Sequence, residues 1–219
     1  AYTGSATLDE SLDNNVFVAR SATINGKDWE KWNGSSWGGD PAPAVDAELS
    51  ATETFFGAGE PSLVVKGDQI YLYYTYSDNE QKIYNVRLMT AAASDPNWPA
   101  SMTDQGEVID RTAFKGLNID GCSVRYIEDQ DCFQAVHGVN IADVNSYSVV
   151  WVSKDGVSGW EQKGVLSNNI RVRAKYARFI CNEQSHITST TPRLMIYQNG
   201  GQYSKTAWPT RMVPYSFVE

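Results

Sequence analysis

The side chains in this sequence equipped for chemistry are few, and most stand at the edges of apolar runs. Glu60 precedes Pro61 and Asp120 precedes Gly121, each just upstream of a stretch rich in β-branched and aromatic residues. The two histidines are His137, which closes Cys132-Phe133-Gln134-Ala135-Val136-His137, and His186, in Glu183-Gln184-Ser185-His186-Ile187. Trp32 and Trp37 bracket the loop Asn33-Gly34-Ser35-Ser36. Exposed indoles in such a loop suit stacking on sugar rings, and packing over a rim of protein suits the same pattern equally. Each polar candidate has a plain structural counterpart as well. Glu60 reads as an exposed loop acid, Asp120 as a turn former bonding its own backbone, and either histidine as a packed structural group. There is no His-x-x-x-His, EF-hand, Gly-x-Ser-x-Gly or Walker pattern, and Gly57-Ala58-Gly59 is too short to cradle a phosphate. No metal site is read from the sequence.

Three cysteines leave two readings open. Cys122 and Cys132 flank the turn of one predicted hairpin, so a disulfide across adjacent strands would leave Cys181 odd; three buried thiols are the other reading. Asn33-Gly34-Ser35 is a glycosylation triplet of a kind that often arises by chance.

The elements that must position these residues are strands. The chain of 219 residues is 42% hydrophobic and 20% charged, which fits a globular protein with a sizeable core. It holds 7 Trp, 12 Tyr and 7 Phe beside 17 Gly and 8 Pro; aromatics favour strands, and Gly and Pro favour the turns between them. Strands are predicted over Ser62 to Lys66, Ile70 to Tyr76, Ile83 to Thr90, Ser123 to Ile127, Cys132 to Gly138, Tyr147 to Ser153, Arg178 to Cys181 and Arg193 to Tyr197. Lys66-Gly67-Asp68 and Glu128-Asp129-Gln130-Asp131 read as hairpin turns.

A unit of strand, Ser, Gly-bearing turn and Trp recurs. Val16 to Ser21 leads to Asp28-Trp29-Glu30, and Ser148 to Ser153 leads through Lys154-Asp155-Gly156 to Gly159-Trp160-Glu161. Tyr84 to Thr90 leads to Asn97-Trp98, and a weaker copy runs from Leu194 to Trp208. The later copies are each preceded by a hairpin. The expectation is an all-β chain forming one β-propeller domain over 1–219, with blade-like units near 1–57, 58–110, 118–167 and 176–219. The first copy lacks its front hairpin, so the chain is expected to begin inside a blade.

The charge balance excludes some partners. Lys plus Arg number 18 against 26 Asp plus Glu, a net charge of −8, so a nucleic-acid binder would need a local basic stripe. The densest basic stretch, Arg171, Arg173, Lys175 and Arg178, reads as a solvated strand face. No nucleic acid is expected as a partner. No apolar run reaches the ~18 residues of a membrane span, so no membrane partner is expected either. The N-terminus carries no basic-plus-apolar signal, and any export peptide is expected to have been removed already.

Two segments carry a resemblance. Gly59-Glu60-Pro61-Ser62-Leu63-Val64-Val65-Lys66-Gly67-Asp68-Gln69-Ile70-Tyr71-Leu72-Tyr73-Tyr74-Thr75 resembles the blade-opening hairpin of five-bladed propeller glycoside hydrolases of the arabinanase, xylosidase and levansucrase or invertase-like type. Val150-Trp151-Val152-Ser153-Lys154-Asp155-Gly156 followed by Trp160 is similar to their blade ending. The resemblance implies a five-bladed type of propeller and a carbohydrate ligand bound where the innermost strands begin. Those enzymes use three acids, one from each of the first three blade openings: a base or nucleophile, an acid that orients and tunes, and a general acid.

Glu60 matches the tuning position, where Asp is usual, and Asp120 the general-acid position, where Glu is usual. The base position falls in the front of the first blade, and Asp40, Asp46 and Glu48 have no motif that would promote them. His186 is similar to the late-blade Gly-His whose imidazole approaches a central ion or water, with Ser185 in place of the Gly. The resemblance thus implies Glu60 and Asp120 as catalytic carboxylates, their carboxyl groups within about 10 Å, and His186 as a substrate-binding group. Trp32 and Trp37, from their loop, and His137, from the end of its aromatic strand, are the further expected substrate-binding groups. It implies no cofactor beyond a structural calcium ion, and an exported, extracellular protein. Without a base, turnover by this chain alone is expected to be weak or absent, with a non-catalytic carbohydrate-binding propeller or a fragment of a larger enzyme as the alternative. A preceding segment or a second chain would then complete the first blade.

Overall fold

The computed structural model describes residues 1–5, 14–23, 27–47, 57–78, 83–117, 119, 121–139, 147–166, 174–199 and 210–216. Among them there is no α-helix, only strands and three short 3₁₀ turns. The chain folds as two compact units, Ala1–Arg111 and Thr112–Glu219.

The first unit contains β1 (Tyr2–Ser5), β2 (Asn14–Phe17), β3 (Ala19–Ser21), β4 (Trp29–Lys31), β5 (Ala58–Lys66), β6 (Gln69–Asp78), β7 (Ile83–Ala92) and β8 (Thr103–Ile109). β5 to β8 form a four-stranded antiparallel meander in chain order, and β1–β2 and β3–β4 are separate antiparallel pairs. Lys66 pairs with Gln69, so Gly67 and Asp68 form a two-residue hairpin loop, and Gly67 takes φ 59° at its first position. That is where a II′ turn calls for glycine. Asp68 then ties down the next connection: its carboxylate accepts from the Ser94 N–H (2.7 Å) and the Ser94 hydroxyl (2.8 Å).

β6 is buried on both faces. Leu72 and Tyr74 pack with Val16, Ala47 and Ala58 on one side, while Tyr73 on the other is fully buried. The composition of Ile70 to Tyr76 follows from this, because a strand covered on both faces needs a nearly continuous apolar run.

The second unit contains β9 (Ser123–Ile127), β10 (Cys132–Val139), β11 (Tyr147–Ser153), β12 (Glu161–Leu166), β13 (Ala174–Phe179), β14 (His186–Ile187), β15 (Leu194–Asn199) and β16 (Thr210–Pro214). One sheet has the order β12-β11-β10-β9-β14, with β14 parallel to β9 and the rest antiparallel; the other has the order β13-β15-β16. Ile127, Cys132 and Val136 of the first sheet share a core with Ala177, Phe179, Met195 and Tyr197 of the second.

The expected strands are present, with one displaced. The strand expected over Arg178 to Cys181 runs earlier, as β13, and Cys181 lies in the loop after it. Of the tryptophans in the recurring unit, Trp29 opens β4 and Trp160 immediately precedes β12, but Trp98 begins a 3₁₀ turn rather than a strand. Trp208 lies outside the described residues.

The disulfide reading is corrected. All three cysteines are free thiols. Cys132 pairs with Ile127 across the β9–β10 hairpin, and Cys122 lies before Ser123 at the opposite end. The two cysteines bracket β9 together with the turn, stand at opposite ends of the hairpin and cannot meet.

Candidate functional site

Glu60 lies in the interior of β5 at a break in the ladder. Gly59 pairs with Thr75 and Ser62 with Tyr73, so Glu60 and Pro61 together oppose Tyr74 alone. This is a β-bulge, and it is where a strand tolerates proline, which has no N–H to give to the ladder. Glu60 takes φ 51°, one of only three non-glycine positive values among the described residues. A left-handed glutamate immediately before proline is doubly disfavoured, since the Pro ring pushes the preceding residue towards extended conformations. Strain of this kind costs about 1–3 kcal/mol and persists where the surroundings fix it. Here the Glu60 N–H donates to Thr3 Oγ1 at 2.7 Å.

Beside the bulge the sheet turns polar without becoming exposed. Thr75 and Ser77 follow Tyr73 on one face of β6, and both are buried. Thr75 Oγ1 and Ser77 Oγ have no hydrogen-bond partner among the described residues. Asn85, which pairs with Tyr76, is likewise buried with its Oδ1 unpartnered among them. Buried polar atoms are satisfied as a rule, so the Thr75 and Ser77 hydroxyls on one face of β6 call for a ligand or water to complete them, whereas Asn85, opposite Tyr76, lies on the other face. Nothing in the sequence singles these residues out; only the register of β6 against Gly59 could have placed Thr75.

Asp120 lies outside the described residues, and with it the expected carboxyl separation. Its neighbours Ile119 and Cys122 are buried, and Ile119 bridges to Val139 at the end of β10. His137 stands at this same end, one residue beyond the Val136–Ser123 pair. It is fully buried, its ring edge-on to Phe114 (5.4 Å between centroids) and tilted on Trp151 (6.0 Å). Ser123 Oγ and Ser148 Oγ, both fully buried nearby, have no partner among the described residues.

His186 sits elsewhere. It pairs with Tyr126 near the turn end of β9, with its Nδ1 2.8 Å from Glu128 Oε1 and its ring edge-on to Tyr126 at 5.0 Å. The two histidines are thus held at opposite ends of β9 and are not brought together.

Trp32 does not offer a sugar a stacking face: only 2% of it is exposed. Trp32 and Trp37 bridge across the Asn33 turn with their rings edge-on at 5.5 Å. Trp37 also lies 6.4 Å from Trp98, carries the Arg20 guanidinium over its ring at 4.6 Å, and donates Nε1–H to the Pro96 carbonyl (2.7 Å). The turn closes on Asn33 Oδ1, which accepts from the N–H groups of Ser35 (3.0 Å) and Ser36 (2.8 Å). The expectation of a stacking Trp32 is therefore corrected: its indole is buried against Trp37.

The segment Ser153 to Trp160 is structural too. Asp155 accepts from the N–H groups of Ser158 (2.7 Å) and Val157 (2.8 Å) and from the hydroxyls of Ser158 and Ser153. These bonds, the Ser158 N–H first, lower its pKa to about 2. Among the described residues no group of three or more His, Cys, Asp or Glu could hold a metal ion, and no helix is long and apolar enough to cross a membrane.

No protein-family model matches the sequence, and comparison with curated proteins finds no significant match. Solved structures do match. Zg3597, a family 117 glycoside hydrolase of the marine bacterium Zobellia galactanivorans, is similar with a TM-score of 0.57 at 10% identity, over 95% of this chain and 54% of that one. An α-L-arabinofuranosidase from Lactobacillus brevis gives 0.54 at 11% identity, over 99% of this chain and 68% of that one. The catalytic domain of a GH62 α-L-arabinofuranosidase from Coprinopsis cinerea gives 0.52 at 11%, over 84% and 66%. The fold is that of the β-propeller glycoside hydrolases. This chain spans about half to two thirds of the length of these proteins.

Proposed function

We propose that the chain belongs to an exported carbohydrate-active protein that cleaves glycosidic bonds, with Glu60 and Asp120 as its working carboxylates. The observation that carries this reading is the bulge at Glu60. A left-handed acid before proline, beside buried hydroxyls with no partner among the described residues, weakens the sheet, and such features collect at binding and catalytic sites. Asp120 is the general acid in this reading: it gives its proton to the glycosidic oxygen as the bond to the anomeric carbon breaks, while a water adds to that carbon and passes its proton to a base other than Glu60 and Asp120. Glu60 orients the sugar. The hydroxyls of Thr75 and Ser77 supply sites that sugar hydroxyls or a bridging water can fill.

The test is a panel of 4-nitrophenyl glycosides with arabinan, xylan and fructan oligomers, assayed with the parent and with Glu60→Gln and Asp120→Asn. Slow turnover in the parent, since neither Glu60 nor Asp120 is the base, that falls further in each variant is the expected result. Turnover unchanged in both variants would remove these acids from the site. Saturable oligosaccharide binding without turnover would replace the hydrolase with a carbohydrate-binding propeller.

A further inference from the structure

Glu60 is gripped from outside its own sheet. The bulge takes its N–H out of the β5–β6 ladder, and the group that receives it is the side-chain hydroxyl of Thr3, 2.7 Å away on β1. Thr3 itself is held in place. It pairs with Val16 of β2, and Val16 is fully buried, with its N–H on the Val45 carbonyl and its side chain in the core with Ala58 and Leu72.

The fit beside the bulge depends on glycine. A Cβ added to Gly59 would lie 3.2 Å from Thr3 Cγ2 and 3.4 Å from Thr3 Oγ1, tighter than an ordinary contact. The absence of a side chain at 59 therefore lets the Thr3 hydroxyl reach the Glu60 amide. Thr3 is itself exposed, so water could satisfy that amide without it. A mobile water would not hold a left-handed φ against the pull of the following proline, whereas a hydroxyl fixed on a paired strand does.

We propose that Thr3 is a positioning residue: by accepting the Glu60 N–H it fixes the backbone conformation from which Glu60 serves the sugar site. This rests on the reading of Glu60 as a working carboxylate. Thr3 would not contact the sugar, and its contribution passes through the geometry of Glu60.

The experiment compares Thr3→Val, which keeps the shape and removes the acceptor, with Thr3→Ser, which keeps the acceptor. Each is crystallised and assayed as the whole chain on the glycoside that the parent turns over best, beside Glu60→Gln. In Thr3→Val, Glu60 should leave positive φ, and kcat should fall about 10- to 100-fold with KM little changed, as expected when a catalytic group is displaced by about 1 Å. Thr3→Ser should restore both. A Thr3→Val structure that keeps Glu60 near φ 51° overturns the proposal, as does kcat at the parent's value in a folded Thr3→Val. Parent-like turnover in Glu60→Gln would instead overturn the reading of Glu60, and the crystal structures would still decide whether Thr3 sets its backbone.

Discussion

Replacing Glu60 separately by glycine and by alanine isolates the strain at the bulge. Both variants lose the carboxylate and every contact of the side chain, so their difference reports only on the Cβ at φ 51°. In an ordinary strand interior, glycine is the worse choice by roughly 0.5–1 kcal/mol because it loses more backbone entropy on folding. At a left-handed φ the Cβ costs about 1–2 kcal/mol, and Pro61 on the C-terminal side adds to it. The net expectation is that Glu60→Gly is more stable than Glu60→Ala by about 1 kcal/mol, which for a chain of this size is roughly 2–4 °C in Tm. Thermal melts followed by tryptophan fluorescence, with urea titrations to check that m is unchanged, would measure it. If Glu60→Ala proved equal to or more stable than Glu60→Gly, residue 60 would have an ordinary strand conformation. The argument that strain marks the site would then fail.

Two further outcomes follow from the geometry. Asp155, with its pKa lowered to about 2, adds stability that is complete above its ordinary value near 3.8 and is lost as pH falls from there towards 2. Asp155→Asn should cost about 1 kcal/mol at neutral pH, a figure kept low because the carboxylate is exposed, and should flatten the stability curve across that acid window. All three cysteines should react with a thiol reagent in denaturant without prior reduction; fewer than three equivalents would show a disulfide that the structure does not contain.

The strands were the most legible feature, and the reason lies in their composition. Ser123–Ile127 and Tyr147–Ser153 coincide with their predicted bounds because β-branched and aromatic residues fill them and polar turns delimit them. The Cys122–Cys132 relation was also present in the sequence, but it had to be counted from the turn. With Ile127 opposite Cys132, position 122 falls at the far end of the hairpin. Trp32 illustrates the opposite limit. Its loop composition is that of an exposed turn, and the indole packs instead on Trp37, brought back by the chain after Asn33 and itself set against Trp98, distant in sequence. The His186–Glu128 contact joins residues 58 apart and left no local mark either.

Glu60 was legible as an acid before proline, but its backbone was not, because sequence habit reserves positive φ for glycine and asparagine. What the structure adds is concentration. On β6 the face that carries Tyr73 continues into Thr75 and Ser77, in surroundings that leave both residues buried. Stability alone favours valine at position 75, since an apolar isostere removes the cost of a buried hydroxyl that has no partner among the described residues. Gly59, paired with Thr75, forgoes a side chain where Thr3 approaches, and Glu60 accepts a strained φ one residue on. Each departure is small, but all of them lie where β5 enters the sheet and β6 leaves it. A sequence that satisfies the rules of strand formation over the rest of these two strands and breaks several at one end indicates selection there for something other than folding.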